Sequence, residues 1–214
     1  MCYSQEGSII SFGISLCGFV YLYNRNQKND RMISLILLSI SLMQISEFMI
    51  HSDRSCKSGW NKFGSQTGFA NLYIIQPLLS LLAVIIFSKS NINQYYILLW
   101  FLIWISSFIF TSFHLPTEKE WCSKCDSKGN LCHLNWPWYK GGWITSIFYM
   151  LLVFVIPILM SDLGNKWFWM IYVFIGPLIS ILLNPDIAGS IWCFVGPLLT
   201  LLIVIFDIPN KIDF

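Results

Sequence analysis

Seven runs of apolar residues, each about as long as a bilayer-crossing helix, constrain this chain more than any motif in it. A hydrocarbon core of about 30 Å takes roughly 20 helical residues. Such runs lie at 9–23, 32–50, 69–88, 95–113, 143–161, 167–183 and 189–206. The first is the poorest helix former, because Gly7, Gly13 and Gly18 fall in or beside it. Only 11% of the residues are charged and the mean hydropathy is +0.63, whereas a soluble domain carries about 25% charged residues. The expected fold class is all-α: a single integral membrane bundle of seven transmembrane helices over residues 1–214, with the lipid bilayer as its first partner.

The connections between runs are short, apart from 115–142, a Cys-rich segment expected to lie outside the membrane. The formal net charge is +2 and the lysines are scattered, so there is no basic face for nucleic acid. No positively charged leader precedes the first run, which is expected to act as its own insertion signal.

Seven spans place the termini on opposite sides, A for the N-terminus and B for the C-terminus. Side B receives Arg25, Lys28, Arg31, Lys89, Lys166 and Lys211. Side A receives Arg54, Lys57 and Lys62 in a short loop, and Lys119, Lys124, Lys128 and Lys140 in the long one. Short loops dominate the positive-inside rule, which makes side B cytoplasmic and side A exoplasmic, although counting every loop reverses the sign. Cysteine placement agrees, since Cys2, Cys56, Cys122, Cys125 and Cys132 all fall on side A. An oxidising compartment there would allow disulfides. The alternative for Cys122, Cys125, Cys132 and His133 is a divalent metal such as zinc, because two thiolates two residues apart can chelate one ion and a Cys-His pair can complete a tetrahedron.

The segments Gln76-Pro77-Leu78, Gly176-Pro177-Leu178 and Gly196-Pro197-Leu198 echo one another, and Pro157 lies inside the fifth run. Each such proline removes a helical hydrogen bond and frees a carbonyl about four residues upstream.

Candidate chemistry comes from ionisable groups at membrane depth, where an unpaired charge costs about 2.5–3.5 kcal/mol on insertion scales. Glu47 is the acidic residue well inside a run. Gln44, Glu47 and His51 are spaced by three and four residues and share one helix face that reaches side A. Ser4, Cys2, His114 and Asp186 arrive on the same side. Carboxylate, imidazole and thiol together could hold a metal or exchange a proton. Glu47, His51 and Cys2 are the candidate catalytic groups, and Gln44, Ser4, His114 and Asp186 the candidate binding groups. Removal of Met1 would leave Cys2 with an adjacent amine and thiol, a nucleophile or a bidentate ligand.

The opening Met1-Cys2-Tyr3-Ser4 and the later Gln44-Ile45-Ser46-Glu47 resemble an uncharacterised family of small multi-pass membrane proteins. Its members begin Met-Cys-aromatic-Ser and carry a Gln-x-x-Glu stretch in an early helix. The resemblance covers about the first fifty residues, with His51 where the family often has tryptophan. It implies a shared role for Cys2, Ser4, Gln44 and Glu47 and brings no activity with it.

Three functions follow from these residues. A lipid-directed intramembrane hydrolase would use the side A site. Seven-span zinc hydrolases of the alkaline ceramidase and adiponectin receptor superfamily offer an analogy, but their late-helix His-x-x-x-His pair is absent here. A small transporter, channel or receptor-like binding protein would use Glu47 as an intramembrane ion site for a small-molecule or ionic ligand. A scaffold would use the ten tryptophans and nine tyrosines as interfacial anchors.

Overall fold

The computed structural model describes residues 4–27, 29–88, 91–127, 132–139, 142–183 and 200–206. The chain is mainly helical. Helix α1 covers Gln5–Arg25. Helices α2 (Asp30–Ser41) and α3 (Met43–Ser52) form one rod with a turn at Leu42. Helix α4 (Trp60–Ala70) runs through a π-helical turn, Asn71–Ile75, into α5 (Gln76–Phe87). Helix α6 covers Gln94–Ser112. Helix α7 (Gly142–Met150) runs through a second π-helical turn, Leu151–Val155, into α8 (Ile156–Met160). Helix α9 is Lys166–Leu183, and residues 200–206 are also helical.

Four of these rods are long and apolar enough to cross a membrane: Gln5–Arg25, Asp30–Ser52, Trp60–Phe87 and Gln94–Ser112. Ile144–Met160 and Lys166–Ile175 are shorter apolar helices. Among the described residues four helices of membrane-crossing length are thus found against the seven expected, and most of the last expected run lies outside those residues.

Burial follows the logic of a lipid solvent rather than water. The buried face of α1 is Ser8, Ser11, Ser15, Gly18 and Leu22, while Ile9, Ile10, Ile14 and Val20 are exposed. Small side chains let helices approach closely where lipid tails offer no hydrophobic drive. A Cβ on Gly18 would collide with Thr200, so the 200–206 helix rests on this seam. Likewise α6 buries Trp100, Ser107 and Thr111 and exposes Leu98, Leu102, Ile105 and Ile109.

The third rod begins nine residues before the expected run, at Trp60 rather than 69. Its first turns are polar, but Gly64 and Gly68 admit close neighbours. A Cβ on Gly64 would lie 2.8 Å from the Ser46 carbonyl, and one on Gly68 would lie 2.5 Å from the Trp136 ring. Ser46 and Thr67 hydroxyls meet at 3.2 Å, fixing α3 against α4.

At two of the prolines, Pro77 and Pro157, upstream carbonyls find side-chain donors. Pro77 and Pro157 each follow a π-helical turn. The Trp104 indole N–H donates to the Tyr73 carbonyl at 2.7 Å, and that of Trp100 to the Leu152 carbonyl at 2.9 Å. Two tryptophans one turn apart on α6 thus satisfy both irregular helices.

At side B the turn between α1 and α2 carries a bidentate ion pair, with Arg25 Nε and Nη2 each 2.8 Å from the Asp30 carboxylate. Asn26 and Asn29 take left-handed backbone conformations (φ 51° and 67°) to close it, a geometry asparagine tolerates well.

Candidate functional site

The side A end is closed by a folded cap. Strands β1 (Lys124–Ser127) and β2 (Cys132–Asn135) pair antiparallel, placing Cys125 opposite Leu134, Asp126 opposite His133 and Ser127 opposite Cys132. Leu134, Trp136 and Trp138 are buried in an apolar cluster with Met43, Ile50 and Tyr73, and Phe69 and Trp121 pack against it. The described parts of the 115–142 segment, expected as a loop, thus pack their aromatic residues against the end of the bundle.

Covalent and hydrogen bonds fasten the cap. A disulfide joins Cys56, after α3, to Cys122, after α6. Asn61 on α4 donates to the Ser123 carbonyl at 3.0 Å and accepts from the Ser123 N–H at 2.8 Å. The disulfide reading of the side A cysteines holds for Cys122, with Cys56 as its partner. A thiol so bonded is no zinc ligand, which corrects Cys122 in the proposed metal set.

Asp53 ends α3 and organises the turn into α4. Its carboxylate accepts from the backbone N–H of Lys57 at 3.0 Å, Ser58 at 3.1 Å and Asn61 at 3.4 Å. Burial pushes its pKa up, but hydrogen bonds from the Ser58 hydroxyl and these N–H groups outweigh that and hold it at about 2, against an ordinary 3.8. A pKa lowered on folding contributes stability above the unfolded value and loses it as pH falls through the folded one. The protection of the Lys57, Ser58 and Asn61 amides against exchange is therefore expected to fall between pH 4 and pH 2, relative to the intrinsic rate at each pH, an effect removed in Asp53→Asn. Unchanged protection across that window would contradict this role.

Beneath the cap lies the polar face read from the sequence. Gln44, Glu47 and His51 are all buried, and Glu47 is 0% exposed. Glu47 lies five steps before the helix end at Ser52, which sets it about 7.5 Å inside at 1.5 Å per residue. Helix α1 packs along α3 and brings its buried Ser8 and Ser11 to the same seam. Glu6 in the first turn of α1 interacts electrostatically with Arg54 and His51. Glu47 and His51 thus lie on one buried face of α3, with His51 the nearer to the helix end.

The remaining expected residues divide clearly. Ser4 caps α1, its hydroxyl accepting from the Gly7 N–H at 3.0 Å. His114 donates from Nδ1 to the Phe110 carbonyl at 2.9 Å and stacks on the Phe110 ring, which closes the end of α6. Cys2 and Asp186 lie outside the described residues, and Cys125, Cys132 and His133 are placed by their backbone alone. Among the described residues no three His, Cys, Asp or Glu side chains gather to hold a metal ion.

Sequence reasoning missed Asn71, Gln76 and Ser80, which are buried in the third rod. Both amide atoms of Asn71, Oε1 of Gln76 and Oγ of Ser80 have no hydrogen-bond partner among the described residues. Their spacings of five and four residues share one face only because the π-helical turn lies between the first two. π-helical turns recur at functional sites. Comparison with known protein families, with curated proteins and with solved structures finds no match for this chain.

Proposed function

We propose that the chain is a seven-span integral membrane protein that binds a proton or small cation at Glu47 and acts as a small transporter or channel. The observation that carries the reading is the fully buried Glu47 carboxylate, with His51 one turn nearer the surface on the same face. Intramembrane carboxylates and imidazoles in series are the usual parts of proton relays. The third rod adds a buried polar row of its own, Asn71, Gln76 and Ser80. The Cys56–Cys122 bond supports an exoplasmic side A with the cap and N-terminus on it, leaving the C-terminus cytoplasmic.

The test is ion flux through purified protein in liposomes under an imposed proton or sodium gradient. Wild-type protein is expected to dissipate one of the gradients, and Glu47→Gln to slow this at least tenfold while retaining its helical circular dichroism. Flux equal in both proteins would overturn the reading. Lipid turnover measured in the same vesicles examines the hydrolase: release of fatty acid that stops in Glu47→Gln would assign the site to hydrolysis instead.

A further inference from the structure

At side B, away from the Glu47 seam, a pocket of about 390 Å³ opens where three helical turns meet. The α1–α2 turn gives it Asn26 and Asn29, the start of α2 gives Arg31, the end of α5 gives Ile86 and Phe87, and the residue two past α8 gives Asp162. Its size falls within the ~300–1,000 Å³ of small-molecule sites.

Two features of the walls are informative. The pocket carries a guanidinium and a carboxylate that form no salt bridge with each other. Arg31 Nε donates to the Tyr23 carbonyl at 3.3 Å and the guanidinium lies over the Tyr23 ring, 4.9 Å from its centre. That bond orients the side chain and uses only Nε. Asp162 accepts from the Ser88 hydroxyl at 3.3 Å, which uses one oxygen. A positioned cation and a positioned anion across one cavity complement a molecule bearing both charges.

The second feature is the apolar wall. Ile86 lines the pocket and is also 61% exposed on the outside of the third rod, where membrane-facing side chains lie. The pocket therefore borders the apolar outer surface near the end of the third rod. A soluble ligand has no use for that exit, whereas an acyl chain would run along it.

We infer that this pocket binds a zwitterionic phospholipid carrying a primary ammonium, its phosphate on Arg31 and its ammonium on Asp162, with the acyl chains leaving over Ile86. The Asn26 and Asn29 amides add donors around the phosphate. Quaternary ammonium headgroups offer no N–H to Asp162 and bind less well. Anionic glycerol headgroups place no positive charge there.

The test is native mass spectrometry of the full-length protein in detergent, with phosphatidylethanolamine, phosphatidylcholine and phosphatidylglycerol offered at equal concentration. Wild type is expected to retain phosphatidylethanolamine at least fivefold over the other two. Asp162→Asn is expected to abolish that preference, Arg31→Gln to weaken phospholipids generally, and Arg31→Lys to recover most of the loss. Glu47→Gln leaves lipid retention unchanged, which separates this pocket from the ion site. Equal retention of all three lipids by wild type, or an unaltered preference in both Asp162→Asn and Arg31→Gln, would overturn the inference. Displacement by free phosphoethanolamine at concentrations comparable to the lipid would assign the pocket to a soluble zwitterion and would overturn the lipid.

Discussion

Replacing Cys56 or Cys122 by serine is expected to cost about 4 kcal/mol, because the bond closes a loop with a sequence separation of 66 residues and chain-entropy arguments place loops of this length near that value. The loss should be local in structure and large in effect. Without the covalent tie, the cap is held by Asn61–Ser123 and the aromatic cluster, while the exposed Lys62–Glu118 pair at 3.0 Å adds at most about 1 kcal/mol. Thermal denaturation of the detergent-solubilised protein, with and without reductant, reads the effect. Wild type in reductant should match Cys122→Ser in oxidant, and reductant should do nothing further to the variant. A midpoint unmoved by either treatment would show that the bond carries no stability.

Trp100 carries the other large effect. It is fully buried, stacks near Phe101 and Trp104 and supplies the hydrogen bond to the Leu152 carbonyl. Trp100→Ala is expected to cost about 3–5 kcal/mol, the usual range for a buried aromatic truncated to alanine. Trp100→Phe separates the contributions: most packing returns, but a carbonyl beside Pro157 loses its donor, at a cost of about 1–3 kcal/mol. Stability measured by urea or detergent titration should rank wild type above Trp100→Phe above Trp100→Ala. If Trp100→Phe equals wild type, the hydrogen bond to the kinked helix contributes nothing.

Much of the helical layout was legible because lipid imposes a simple demand, a long apolar run, and runs at 9–23, 32–50 and 95–113 match described helices within a few residues. The start of the third rod was not. Trp60–Gly68 is polar in sequence, and its helix depends on Asp53 at its head and on two glycines that let other segments of the chain approach. The Gln44–Glu47–His51 face was legible from spacing alone, since three- and four-residue steps define a helix face. Asn71 and Gln76 escaped because a five-residue step breaks that period until a π-helical turn restores it. Disulfide pairing was not legible: the sequence offered five cysteines on side A without choosing among them, and the partner of Cys122 is distant along the chain and close only in the fold.

The Cys56–Cys122 bond also changes the covalent topology of the bundle. Between those two residues the chain runs down through Trp60–Phe87, turns, and returns through Gln94–Ser112, so the bond makes these two rods the sides of a closed ring. A single peptide cleavage between Ser88 and Asn93 would open the ring without dividing the protein into two molecules. Only cleavage and reduction together would release the fragments, and the order in which they act would not matter.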